Sequence, residues 1–140
     1  MFYLVYVSLA ADDISKQDLL DILEESRPRN SHAGITGMLL YKDGNFMQVL
    51  EGEEPSVKEL YERVRRDSRH RGVLTLAEGQ RQRRQFGDWS MGFRDLNDPE
   101  VRSTPGYSEF LNTPLTAESF TRDPAQCERL LWVFKGEESP

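Results

Sequence analysis

The sequence is poor in the residues that build covalent staples and metal centres. It has 140 residues and one cysteine, Cys127, so neither a disulfide framework nor a cysteine-based metal site is available. Two histidines, His32 and His70, are too few for a histidine-rich metal site. No run approaches the roughly 18 apolar residues needed to span a bilayer, and no basic-then-apolar leader precedes the first strand. Positive charge is not in excess: the net charge is −6, which argues against a general nucleic-acid binder. No internal repeat or low-complexity tract is visible. The expectation is one soluble, cytoplasmic domain with no direct contact to membrane or nucleic acid. Apolar residues at 37% and charged residues at 30% allow a core with a well-solvated surface.

The apolar pattern supplies the elements. Phe2 to Ser8 is β-rich, with Phe2, Leu4, Tyr6 and Ser8 on one face and Tyr3, Val5 and Val7 on the other. Ser15 reads as a helix N-cap with Asp18 three residues on, and Leu19, Ile22 and Leu23 recur at helical spacing. Pro28 is expected to end this helix, because the residue before a proline is pushed out of the α region. Residues Arg27 to His32 then form a polar loop or a ragged helix end. Gly34 to Tyr41 is a second strand, with Gly37 marking a bulge or a close backbone approach. Lys42-Asp43-Gly44-Asn45 is a hairpin signal, and Asn45 to Gly52 is the returning strand. Pro55 opens a second helix whose stripe is Val57, Leu60, Tyr61 and Val64. Val73 to Glu78 is a fourth strand, and Gln80 to Arg84 reads as a solvated hairpin arm. Trp89, Met91 and Phe93 share one face of a fifth strand.

The order βαββαβ plus a fifth strand points to an α+β, ferredoxin-like sandwich with two helices on one face of a mixed sheet. Residues 1–96 form that domain. Residues 97–140 change character, with proline breakers and then a helix starting near Asp123-Pro124 and carrying the stripe Cys127, Leu130, Leu131 and Phe134. This C-terminal helical extension is too short for an enzymatic output domain. It is long enough to cap the bare sheet face or to form a dimer or partner surface.

Chemistry concentrates at two places. Gln48 sits in a strand that is apolar on both faces, and a buried amide is costly unless its two donors and its oxygen find partners. The bland reading is an amide satisfied by neighbouring backbone, just as Tyr6 reads most simply as an aromatic plug. Arg63, Arg65, Arg66, Arg69, His70 and Arg71 crowd the end of the second helix. They are either a solvated charge run or a phosphate clamp, since the arginine fork matches phosphate oxygens.

Taken together, Leu4-Val5-Tyr6-Val7-Ser8, Arg29-Asn30, Gly34-Ile35-Thr36-Gly37, Phe46 to Gly52, Arg69-His70 and Trp89-Ser90-Met91 resemble the BLUF family, blue-light sensors that hold FAD non-covalently. The resemblance runs through residues 1 to 96 in unbroken order, and Gln-Val-Leu-Glu-Gly with Trp-Ser-Met at this separation is its most specific part. It implies a flavin ring between the two helices. It implies that Tyr6 and Gln48 are the switch pair, that Asn30 binds the polar edge of the ring and that Arg29 lies near it. Arg63, Arg69 and His70 would then serve the ribityl and phosphate end, and Trp89 and Met91 the last strand. Many members carry two asparagines where this chain has Arg29-Asn30, a departure that touches one ring contact. FAD is the implied cofactor, with FMN or riboflavin open, and whether Trp89 or Met91 faces the flavin is also open.

On the same resemblance, an excited flavin oxidises the Tyr6 phenol, an electron and then a proton leave, and the Gln48 amide rotates or changes tautomer. A new or stronger hydrogen bond to the ring shifts absorption to the red. The signal leaves through the last strand to the 97–140 cap, and from there to a signalling protein in trans. A homo-oligomer and a sensor without its own catalytic output are the further expectations. Two other readings stand beside this one. A small ferredoxin-like enzyme acting on a phosphoryl substrate has only the Arg63 to Arg71 cluster in its favour. A cofactor-free interaction module would be colourless and inactive.

Overall fold

The computed structural model describes residues 1–12, 14–86, 92–95 and 98, with the side chains of residues 92 and 94 left aside. Trp89, Met91 and the 97–140 extension therefore lie outside the described residues, apart from Asp98. The elements run β1 (Phe2–Ala10), α1 (Lys16–Ala33), β2 (Thr36–Lys42), β3 (Asn45–Gly52), α2 (Glu54–Arg66), β4 (His70–Gln80) and β5 (Gly92–Asp95). The strands form one sheet in the order β4-β1-β3-β2-β5. β1 pairs antiparallel with β3 and β4, β2 pairs antiparallel with β3, and β5 runs parallel to β2. This is the expected mixed sheet of an α+β sandwich.

The strand that carries Gln48 is the middle of the five. Every residue of β3 after Asn45 is buried, as a strand covered on both faces must be. The β2–β3 hairpin closes as its sequence demands. Asp43 (φ 49°) and Gly44 (φ 79°) both take the left-handed conformation, the primed turn that matches strand twist. Gly37 meets a different demand. A Cβ at this position would stand 1.9 Å from the Val49 carbonyl oxygen on the partner strand.

One side of the sheet holds the helices. Phe2, Leu4, Tyr6, Leu39, Phe46 and Leu50 pack there with Leu19, Ile22 and Leu23 of α1 and Val57 and Tyr61 of α2. Ser15 caps α1 reciprocally: its hydroxyl accepts from the Asp18 N–H (3.1 Å), and the Asp18 carboxylate accepts from the Ser15 N–H (2.9 Å).

The structure corrects two expectations. Pro28 does not end α1; it lies inside a helix that continues to Ala33. Proline fits helical φ, and what it costs is one backbone donor and some crowding of the preceding turn. The stop comes at Gly34, where φ is 71°, the Gly34 N–H reaches the Ser31 carbonyl (3.3 Å) and the Ile35 N–H reaches the Asn30 carbonyl (2.8 Å). Arg29 and Asn30 thus stand on the last turns of a helix rather than in a loop, and β2 begins at Thr36 rather than Gly34. The second correction concerns Gln80 to Arg84. Gln80, Gln82, Arg83 and Arg84 are exposed as expected, but Arg81 is half-buried: it stacks on the Tyr3 ring at 3.8 Å and bonds a buried carboxylate, Glu51.

Gly37→Ala tests the β2–β3 contact. The methyl group cannot be placed without moving the Val49 backbone, so the variant should lose about 3 kcal/mol, read as a lower urea midpoint. An unchanged midpoint would mean that the two strands do not approach as closely as described.

Candidate functional site

The site starts from register. Gln48 lies directly opposite Tyr6 on β1 and Leu39 on β2, so all three side chains rise from the same face of the sheet. The Tyr6 hydroxyl donates a short hydrogen bond to Gln48 Oε1. Both residues are buried, at 0% and 6% exposure. The costly amide has a phenol as its partner, not only backbone.

Above this pair a cavity of about 340 Å³ opens between the helices. Tyr6, Leu39 and Gln48 supply its floor. Ile22, Ser26 and Asn30 come from α1, and Leu60, Val64 and Arg63 from α2. A second cavity of about 220 Å³ shares Arg29, Asn30, Leu60 and Arg63 with the first. The size and the mix of apolar walls with a few convergent polar groups suit a planar organic ligand. Asn30 is 1% exposed and lines both spaces, because the helix continues past Pro28 and turns this residue inward.

Burial sets the ionisation of the site. Tyr6 is pushed well above the ordinary phenol range, first by desolvation and then by Tyr61 and Asp67. It is a protonated donor at any ordinary pH. The Tyr61 ring lies 5.4 Å from the Tyr6 ring, and its hydroxyl accepts from Thr75 Oγ1 at 2.7 Å.

The basic cluster divides into three parts. Arg29, Arg63 and Arg66 are exposed around the cavity, with Arg63 paired to Glu59 on the helix surface at 3.2 Å. Arg69 has its fork engaged within the protein. Its Nε is 3.0 Å from Asp67 Oδ1 and its Nη2 is 2.7 Å from Asp67 Oδ2 and 2.9 Å from Glu25. The Arg69 bonds hold the Asp67 carboxyl below its usual range. His70 is a core residue. Its ring packs on Phe46 at 4.7 Å and meets Tyr6 edge-on at 6.3 Å, and its Nδ1 shares a 2.8 Å hydrogen bond with Ser8 Oγ. Burial pulls this imidazole down to about 4, so it is neutral beside the switch pair.

The structure therefore brings Tyr6, Gln48, Asn30, Arg29, Arg63, Arg69 and His70 around one cavity. Three features escaped the sequence reading. The Ser8–His70 bond joins residues 62 apart in the chain, and the Tyr61 contact depends on how α2 lies over the sheet. The Glu51 contacts depend on the path of the chain after β4. The one signal that could have found Glu51 is its place in β3, where a carboxylate flanked by buried positions must meet donors.

Fold and site define a small α+β ligand-binding module whose polar floor is a phenol–amide pair. Residues 1–92 match the family model described as BLUF, sensors of blue light using FAD. A photoactivated adenylate cyclase subunit beta-like protein from Euglena gracilis is 39% identical over 89 residues, which is 63% of this chain and 10% of that protein. Among solved structures, the dark state of the BLUF protein BlrB superposes with a TM-score of 0.81 at 26% identity, covering 97% of this chain and 96% of that one. Klebsiella pneumoniae BlrP1, solved with FMN and cyclic diGMP, gives a TM-score of 0.70 at 28% identity over 96% of this chain and 35% of its own. The chain belongs to the BLUF family, whose members sense blue light with FAD. It spans about a tenth of the length of the curated relatives it matches.

The cavity suits the ring end of that cofactor. Its apolar walls suit a flavin ring, the Asn30 and Gln48 amides match a polar ring edge, and the exposed arginines suit a phosphate-bearing tail. Among the described residues no cluster of His, Cys, Asp or Glu could hold a metal, and no helix is long and apolar enough to cross a membrane.

The buried imidazole generates a pH prediction. Unfolded histidine titrates near 6.5, and His70 in the fold is held down to about 4. The unfolded chain therefore takes up the proton first. The His70 contribution is fully present above about pH 6.5 and is lost as pH falls toward about 4, for a total of about 3 kcal/mol. The depressed Asp67 carboxyl acts in a lower window, below its unfolded value near 4. Urea unfolding between pH 7 and 4.5 should show the slope, and His70→Gln should flatten it. An equal slope in both proteins would remove the assignment.

Proposed function

We propose that this chain is a blue-light switch in which Tyr6 and Gln48 act as one unit, and that it carries no catalytic output of its own. The observation that carries the reading is the buried hydrogen bond from the Tyr6 hydroxyl to Gln48 Oε1 at the floor of the cavity. A photoexcited flavin, when bound, is a one-electron oxidant, and that is the chemistry the cofactor supplies.

The rest belongs to the chain. Tyr6 cannot shed its proton in the dark, because burial forbids the phenolate. Loss of an electron makes a phenol strongly acidic, and among the described residues the bond already formed, to Gln48 Oε1, offers the proton a path. An amide protonated on oxygen readily loses a proton from nitrogen, which would pass to the group that took the electron; return of that electron and of a proton to Tyr6 would then leave no net oxidation. The outcome, by rotation or by tautomer change, is that the donor and acceptor ends of Gln48 exchange. An amide that met the cavity with one hydrogen-bonding pattern then meets it with another. Asn30 would hold the polar ring edge on the opposite helix. Arg29 would lie near the ring, and Arg63 and Arg69 near the phosphates, with Arg69 giving up part of its Asp67–Glu25 fork. His70 would back the switch pair as a neutral core group.

The outward path is proposed on the same footing. Trp89 and Met91 precede β5, which pairs in parallel with β2. On the second face of the sheet Val5, Val7, Met38, Leu40, Met47 and Val49 are buried but stand outside the cluster packed on the helices. The 97–140 extension, expected from its sequence to cap a sheet face or to meet a partner in trans or a second copy, lies outside the described residues apart from Asp98. The match to the relatives named as adenylate cyclases covers about a tenth of their length.

The test is optical. Purified protein should be yellow, its flavin spectrum should move to the red under blue light, and it should return in the dark. Tyr6→Phe and Gln48→Leu should each abolish the shift while flavin affinity changes by about tenfold or less, the worth of one hydrogen bond. A normal photocycle in either variant would sink the proposed switch.

A further inference from the structure

Glu51 is a carboxylate with no solvent contact, three residues along β3 from Gln48 and on the opposite face. Buried carboxylates persist only when donors surround them. Here most of the donors come from one short stretch. Oε2 accepts from the backbone N–H of Gln85 (2.7 Å) and from Arg81 Nη1 (3.3 Å). Oε1 accepts from the backbone N–H of Phe86 (2.8 Å) and from Thr36 Oγ1 (3.3 Å). Arg84 closes the arrangement by donating to Thr36 Oγ1 and to the Glu51 carbonyl at 2.9 and 3.1 Å.

Topology explains why such an anchor is needed. β4 and β5 are the two edges of the sheet, so the chain leaving β4 must reach the far side of β2. Its first part, residues 81–86, docks where Tyr3, Glu51 and Thr36 stand in register on the three central strands. The Arg81 N–H bonds the Met1 carbonyl, its guanidinium covers Tyr3, and Phe86 is buried. At the middle of the crossing stands Glu51, on the strand that also carries Gln48.

We propose that Glu51 is a positioning residue that ties the crossing segment 81–86 to the switch strand, so that rearrangement at Gln48 is passed to the start of the path to β5. The inference rests on the sensor reading above and adds a residue and a route to it. Gln48 and Glu51 are about 10 Å apart along one extended strand, and a strand paired on both sides moves as a unit. On this proposal the tie is either made or broken. Bonds of 2.7 and 2.8 Å weaken steeply when the acceptor shifts, and a carboxylate with no solvent exposure does not readily exchange them for solvent. The segment is therefore held or released rather than graded, which is the bistable element that transmission requires.

Amide hydrogen exchange at Gln85 and Phe86 tests this on the full 140-residue, flavin-loaded chain. Both amides should be protected in the dark and should exchange about tenfold faster or more under continuous blue light, the effect of losing one buried acceptor. Glu51→Gln puts an amide donor against backbone donors. It should keep the red shift but show fast exchange in the dark, with no further rise in light. If that variant does not fold, Arg81→Gln removes one arm only and should show partly raised dark exchange and a smaller light response. Native-like protection and response in the variants overturns the proposal. A red shift with flat exchange in the unmodified protein overturns it as well, and leaves the sensor reading intact. Absence of any red shift removes the sensor reading and this inference with it.

Discussion

A phenol hydroxyl facing an amide oxygen across two adjacent strands is the contact on which this structure turns. The amide of Gln48 cannot be buried in a five-stranded sheet without a partner, and Tyr6 cannot ionise in the same place. Each residue removes the other's difficulty. The result is a polar pair that is stable in the dark and has one route for a proton once an electron is withdrawn. Register does the positioning: Tyr6 opposite Gln48 opposite Leu39 puts the pair in the middle of the sheet, under the gap between the helices.

The rest of the molecule serves that gap. The apolar stripes of α1 and α2 pack on the ends of the helix-side face and leave a cavity over its centre. The continuation of α1 past Pro28 carries Asn30 inward, so an amide from a helix faces an amide from a strand across the cavity. Arg69, at the rim of the cavity, is braced between Asp67 and Glu25. That brace fixes the chain between α2 and β4 and sets His70 against Ser8 and Phe46. On the opposite face the same central strand is tied by Glu51 to the segment that leaves β4. β3 is thus both the seat of the switch and the anchor of the crossing chain.

Much of this was legible in the sequence where local rules dominate. Alternation in β1 and β3, the Asp43-Gly44 turn, the stripe of α2 and the close approach at Gly37 all follow from the chemistry of residues near one another in the chain. Tyr6 and Gln48 could be placed on a common face by the family resemblance, and their pairing needed the register of β1 against β3. The failures share a cause. Pro28 looked like a stop because proline disfavours helix locally, but a Schellman-type end at Gly34 and the burial of Asn30 favour carrying the helix on. Arg81 and Arg84 looked solvated because charge runs usually are. Arg81 meets the Glu51 carboxylate 30 residues away and Arg84 the Glu51 backbone carbonyl 33 residues away, partners made visible only by the order of strands in the sheet. Trp89 and Met91 lie outside the described residues, and their roles rest on the family resemblance alone.

The central claim is that light alters the Gln48 side chain itself. The most direct measurement is a light-minus-dark infrared difference spectrum of the flavin-loaded protein, recorded with and without isotopically labelled glutamine. Label-sensitive side-chain amide bands should change on illumination, together with a tyrosine hydroxyl band, and the amide bands should be missing in Gln48→Leu. A full red shift of the flavin with no label-sensitive band would contradict the claim, because the amide would then be a spectator.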